Sequence, residues 1–161
     1  MKSKEFPMKT QSLINEFFSE KRFAFIGVSR QPKDFSRSLF REFVRRGYDV
    51  VPVNPHTTEI EGRVCFDRIQ DVRPPVTAAL LLLPKFLIKP AVLNCAEAGI
   101  SLAWIYGISG TKEIDPAVLK TCDERGIALI PGYCPYMFME SAGWFHRLHG
   151  AAWKMIGLYP R

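Results

Sequence analysis

Five short apolar runs, each ending on a residue that halts a strand, constrain this chain more than any other feature. Phe23–Gly27 ends on glycine, Tyr48–Val53 runs into Asn54-Pro55, and Ala78–Leu83 stops at Pro84. Ser101–Tyr106 ends at Gly107, and Ile127–Ile130 meets Pro131-Gly132. Runs that stay apolar at consecutive positions, rather than alternating, belong to strands covered on both faces, as in parallel sheets. Helical stretches lie between them. Ser36–Arg46 puts Leu39, Phe40, Phe43 and Val44 on one stripe and Arg37, Arg41 and Arg45 on another, closing at Gly47. Pro90–Ala98 closes at Gly99 and Pro116–Arg125 at Gly126, the asymmetry of proline near a helix start and glycine past its end. Amphipathic stretches at about Lys9–Glu20 and Met139–Leu158 flank the series.

Strand and helix in alternation predict an α/β fold: a Rossmann-like three-layer sandwich with a five-stranded, mainly parallel sheet. The N-terminal helix (residues 1–20) and a C-terminal helical extension (139–161) complete one domain over residues 1–161. With 47% hydrophobic and 24% charged residues, disordered and fibrous classes are excluded. No apolar run approaches the roughly 20 residues that span a bilayer, and Met1–Thr10 lacks a signal-peptide core. A cytoplasmic protein is expected. The cysteines Cys65, Cys95, Cys122 and Cys134 show no C-x-x-C spacing, so buried thiols are expected rather than a metal site.

In open parallel sheets, ligands bind outside the carboxyl ends of the strands, where strand order reverses. Those ends are Gly27-Val-Ser-Arg-Gln31, Asn54-Pro-His56, Leu83-Pro84, Tyr106-Gly107 and Gly132-Tyr-Cys134. The first leads into a helix, whose amides and positive end suit a phosphate. Ser29 and Ser36 would add hydroxyl donors, and Arg30, Lys33 and Arg37 positive charge. A dinucleotide fingerprint is absent: the G-x-G-x-x-G register after Gly27 meets Ser29 and Pro32, and the second strand ends on Asn54 instead of an acidic residue. There is no Walker A loop. The net charge of +6 favours an anionic partner, but nucleic-acid reader motifs and stacking aromatics are missing, so a nucleic-acid role is not expected.

Several pieces, in order, resemble one family. They are Ile26-Gly-Val-Ser29, a Pro-Lys-Asp loop, Ser36, Gly47-Tyr-Asp-Val-Val-Pro-Val-Asn-Pro55 and Glu61-Gly62. Ala98-Gly-Ile100, Trp104 followed by Gly107, and Gly126-Ile127 leading to Tyr133-Cys-Pro135 continue the series. Over about Lys21–Glu140 the chain is similar to the stand-alone CoA-binding proteins, a Rossmann-like family related to the nucleotide domain of the succinyl-CoA synthetase alpha subunit. The resemblance implies a bound coenzyme A or acyl-CoA. Its phosphates would sit on Val28, Ser29 and Arg30, its adenosine end near Asn54, Pro55 and His56, and its pantetheine arm past Pro84 and Tyr106-Gly107, with Cys134 close by. Ligase relatives phosphorylate a histidine in a second domain, and none of His56, His146 or His149 corresponds to it. A non-catalytic, regulatory or accessory module is therefore expected.

Each sharper reading has a plainer one beside it. His146 and His149 share a helix face but lack a third ligand. Cys134 would need a cation and an oriented base to act as a nucleophile, so a structural role is expected. Ser29 lacks the glycine of a nucleophile elbow, with Gln31 in its place. The arginine stripe reads as a solvated helix face, with Arg37 the best placed for a ligand phosphate. The aromatic-rich C-terminal stretch has more apolar surface than one sheet face needs, and the surplus suits a homodimer interface, a partner protein or a lid. Two rival functions stand beside CoA binding: an NAD(H)-binding redox sensor or oxidoreductase, and an interaction module whose nucleotide pocket is vestigial.

Overall fold

A computed structural model describes residues 5–139 of the chain. Apart from Met139, the expected C-terminal helix over 139–161, with its histidine pair and interface, lies outside the described residues. An N-terminal helix α1 (Glu5–Ser19) leads into β1 (Arg22–Ile26), α2 (Phe35–Arg45) and β2 (Asp49–Val53). A small hairpin, β3 (Glu59–Ile60) and β4 (Arg63–Val64), precedes β5 (Ala78–Leu81). Then come α3 (Lys85–Glu97), β6 (Leu102–Tyr106), α4 (Pro116–Glu124) and β7 (Ala128–Tyr133). Five strands form one parallel sheet in the order β2-β1-β5-β6-β7. The chain is an α/β Rossmann-like fold, as the alternating runs predict.

The continuous apolar runs divide between two cores, because successive strand residues face opposite sides. Phe23, Phe25, Leu80 and Trp104 point to the side covered by α1 and α2, where they meet Phe17, Phe40 and Phe43. Ala24, Leu81, Ala103 and Ile105 point to the other, against Ile88, Val92, Val118 and Cys122 of α3 and α4. One core is aromatic and the other mostly small and aliphatic. Phe17 lies 5.3 Å from Trp104 between ring centroids in an edge-on contact, which ties α1 to the middle of the sheet. No helix among the described residues is long and apolar enough to cross a membrane.

Element boundaries depart from the sequence expectation in three places. The helix expected to begin at Pro90 begins at Lys85, with Pro90 inside it. An interior proline normally costs about 3 kcal/mol or more by removing a hydrogen bond and crowding the preceding turn; here it lies on the exposed side, one turn and a half from the start. The last strand does not stop at Ile130 but continues through Pro131-Gly132 to Tyr133. It is an edge strand, where a residue without an amide hydrogen breaks no essential ladder. The β3–β4 hairpin has strands of two residues each, too short to leave a periodic signal.

Candidate functional site

Strands β1 and β5 are neighbours, but the chain leaves them in opposite directions: β1 proceeds to β2 at one edge, β5 to β6 and β7 at the other. Between their carboxyl ends lies a crevice, the expected ligand position for such a sheet. A cleft of about 370 Å³ occupies it, and its lining includes Gly27, Ser29, Asn54, Pro55, His56 and Pro84. Six of the residues singled out in the sequence thus meet in one place. The cleft falls within the roughly 300–1,000 Å³ usual for small-molecule sites.

Gly27 makes this crevice. Its φ is +95°, and a Cβ there would fall 2.1 Å from the Leu82 carbonyl oxygen. Only glycine lets the β1 end turn while pressed against β5. Val28 is buried in the aromatic core, and its carbonyl accepts a 2.8 Å hydrogen bond from Asn54 Nδ2. Asn54 Oδ1 in turn accepts from the His56 amide at 2.8 Å. Asn54 therefore joins the loop after β1 to the loop after β2, which orders both walls of the cleft.

The expected phosphate seat at the start of α2 is partly occupied by the protein itself. Asp34 caps the helix, accepting from the Ser36 amide at 2.8 Å and from the Ser36 hydroxyl at 2.6 Å. The Ser36 oxygen accepts from the Ser29 amide at 2.8 Å, and Ser29 Oγ accepts from the Gln31 amide at 3.0 Å. Ser36 is thus a loop clasp, not a phosphate donor, because its proton is committed to Asp34. The Asp34 carboxylate also answers the positive helix end that an anion would use. What remains for an anion is the loop before the helix. The amides of Val28 and Arg30 have no protein acceptor among the described residues, and Arg30 and Lys33 are exposed cations with no ion-pair partner there.

Arg37 corrects the picture of a solvated arginine stripe. Its side chain is only 10% exposed and pairs with Glu61. It also donates to the carbonyls of Ser29 at 3.2 Å and Arg30 at 3.0 Å. Arg41 donates from Nε to the same Glu61 oxygen at 2.8 Å. The two arginines hold the Glu61 carboxyl below its ordinary range, Arg41 most strongly. Arg37 therefore braces the loop from behind, with its charge already matched, and is not the phosphate contact expected of it. Glu61 is the residue sequence reasoning missed: it stood out only beside Gly62, and its partners lie more than a helix away in the chain.

A second, larger cleft of about 940 Å³ opens beside the first, at the ends of β5 and β6. Leu82, Leu83 and Pro84 line both. Tyr106 forms part of its wall and packs 5.3 Å from Phe35 at the start of α2. Burial chiefly pushes the Tyr106 hydroxyl up to about 12. Gly107 has no room for a side chain, since a Cβ would lie 2.7 Å from Gly132 Cα; it lets the ends of β6 and β7 approach closely. Glu113 accepts from the Ile108 amide at 2.7 Å and also from the Ser109 amide, folding the loop that forms the cleft's far side. Cys134 is buried, and burial pushes its thiol up to about 11. At neutral pH it is a protonated thiol, consistent with a structural role.

The arrangement can hold an elongated, partly anionic, partly apolar molecule along the strand ends. Comparison with known proteins gives the same direction. The α subunit of ADP-forming acetate–CoA ligase II of Pyrococcus furiosus is 27% identical over 129 residues, covering 76% of this chain and 28% of the ligase subunit. The chain thus spans little more than a quarter of that relative's length. A hypothetical protein from Pyrococcus horikoshii OT3 has the same fold, with a TM-score of 0.69 and 22% identity, covering 78% of this chain and 86% of that one. The dinucleotide forming acetyl-coenzyme A synthetase 1 of Ca. Korarchaeum cryptofilum matches in fold over 70% of this chain and 25% of its own, with a TM-score of 0.61 and 22% identity. The CoA binding domain family matches residues 21–140, and the chain belongs to that family.

Proposed function

We propose that this protein binds coenzyme A or an acyl-CoA and does not itself catalyse a reaction on it. The observation that carries the reading is the pair of adjoining clefts at the switch point, joined at Leu82–Pro84. The 3′-phosphorylated ADP end would lie in the smaller cleft, against Ser29, Asn54, Pro55 and His56. Arg30, Lys33 and the Val28 and Arg30 amides would meet its phosphates, because charged and amide donors together suit phosphate oxygens. The pantetheine arm would cross Pro84 toward Tyr106. The chain's lack of an acidic residue at the end of β2, where Asn54 is committed to Val28, argues against a dinucleotide ribose. The non-catalytic part of the reading is supported by the candidate nucleophiles: the Ser29 hydroxyl accepts from the Gln31 amide of its own loop, and burial pushes the Cys134 thiol up to about 11. A cytoplasmic location fits such a ligand.

Isothermal titration calorimetry with CoA, ADP and NADH tests the reading. CoA is expected to bind more tightly than either competitor. Arg30→Ala is expected to weaken it about five- to thirtyfold, the worth of about 1–2 kcal/mol for a charged hydrogen bond at an exposed site, with the loss shrinking as salt rises. Equal binding of ADP and CoA, or tighter binding of NADH, would defeat it.

A further inference from the structure

The larger cleft has a character that the nucleotide and its arm do not require. Its lining includes Leu83 and Phe86 at the surface, backed by the buried core residues Ile88, Ile105, Ile114 and Val118. The acidic groups at its edge are turned to the protein: Glu113 accepts from its loop amides, and Asp115 caps α4 by accepting from the Ala117 amide at 2.8 Å. Phe86, which lines this cleft, has 77% of its surface exposed. The cleft has more than twice the volume of the nucleotide cleft and shares the Leu82–Pro84 wall with it.

We infer that this cleft receives the hydrocarbon chain of a CoA thioester, so that the preferred ligand is an acyl-CoA of medium chain length and not free CoA or acetyl-CoA. The inference rests on the CoA reading above and names the substrate class for it. At the end of an arm that crosses Pro84 toward Tyr106, a thiol meets apolar side chains and acidic groups already bonded within the protein, so an attached alkyl chain is desolvated without stranding a carboxylate. Lys85 and Lys112, also at this cleft, remain in water and do not oppose a neutral chain. Phe86 is the side chain that the bound hydrocarbon covers.

Full burial of one methylene tightens binding about fourfold. The cleft is open on one side, so about half of that gain is expected. Over the six methylenes between acetyl-CoA and octanoyl-CoA, at about twofold each, this accumulates to about sixtyfold. The test is calorimetry on the full chain with CoA, acetyl-CoA, butanoyl-CoA and octanoyl-CoA, repeated on Phe86→Asp. Affinity should rise along the series, and the octanoyl-CoA to CoA ratio should fall at least about threefold in Phe86→Asp, with circular dichroism reporting the fold of the variant. Equal affinity for CoA and octanoyl-CoA would overturn the acyl site while leaving the CoA reading in place. No binding of any of the four would overturn both.

Discussion

Replacing Glu61 with glycine sets two effects of opposite sign against each other. Glu61 sits at φ +50°, next to Gly62 at φ +74°, in the two-residue turn of the β3–β4 hairpin. Such a turn wants asparagine or glycine at its first central position, and a glutamate there carries about 1 kcal/mol of backbone strain. Glycine relieves that strain but gives back about 0.4–1 kcal/mol through greater freedom of the unfolded chain. The backbone terms nearly cancel, so the ion pairs decide. Removing one partner from a buried pair costs about 3–5 kcal/mol, whereas exposed pairs contribute about 0–1 kcal/mol. Arg37 is 10% exposed and Glu61 30%. Arg37 also keeps its two bonds to the Ser29 and Arg30 carbonyls, which places the loss nearer about 2 kcal/mol.

For a chain of this size each kcal/mol moves Tm by about 2–4 °C, so Glu61→Gly should melt about 4–8 °C below wild type. Glu61→Gln, which keeps the reach and the strain but not the charge, should fall between them. CoA affinity should drop in Glu61→Gly as well, because Arg37 then loses the anchor from which it holds the loop. The pH dependence has a definite sign. The folded-state pKa of Glu61 is depressed from 4.5, so its stabilisation is present above that value and fades as pH falls through the depressed one. The gap between wild type and Glu61→Gln should accordingly narrow on acidification. A Glu61→Gly variant that melts at or above wild type would refute the reasoning, since it would mean that the backbone outweighs both arginine contacts.

Gly27→Ala would place a methyl 2.1 Å from the Leu82 carbonyl oxygen at φ +95°, and a loss of about 3 kcal/mol or more is expected in urea denaturation; a loss under about 1 kcal/mol would show that β1 and β5 are not pressed together there. Glu42 is held down to about 2 by its hydrogen bond from Arg45 and by Arg46. Its contribution should be full above 4.5 and vanish toward 2, so the Tm difference between wild type and Glu42→Gln should be larger at pH 6 than at pH 3. Because burial raises the Cys134 thiol to about 11, it should resist Ellman's reagent at pH 8 in the native protein and react once unfolded. Rapid modification of Cys134 in the native state would contradict the structural role.

Local signals carried the fold. The five apolar runs became β1, β2, β5, β6 and β7 because strands covered on both faces must be apolar throughout, and Gly47, Gly99 and Gly126 ended their helices at positive φ because a left-handed residue is how a helix is closed. Pro90 misled because its usual place is a first turn, and nothing local reveals that an exposed side can tolerate it later. The position of the candidate crevice was legible for the same reason as the fold: topology sends strand ends to one place, and Gly27, Ser29, Asn54, Pro55, His56 and Pro84 line it together. One miss was visible in principle. Asp34 two residues before Ser36 is a capping pattern, and it announces that the helix start already has its anion.

The three arginines on α2 show where such reading ends. Arg37, Arg41 and Arg45 recur at a spacing that puts them on one face, and by sequence they are equivalent. In the fold Arg45 pairs within its own helix, with Glu42, at 66% exposure; Arg41 shares Glu61 at 44%; Arg37 is buried behind the ligand loop. Their difference comes from the β3–β4 hairpin, which reaches only the first two turns of the helix and brings one carboxylate there. Helical spacing determines which side chains share a face, but burial depends on what lies across from it, and here that is a four-residue hairpin without a periodic signal. The charge that looked most available for a phosphate is consequently the one already neutralised, and the loop residues ahead of it, Arg30 and Lys33, are the cations left to meet a ligand.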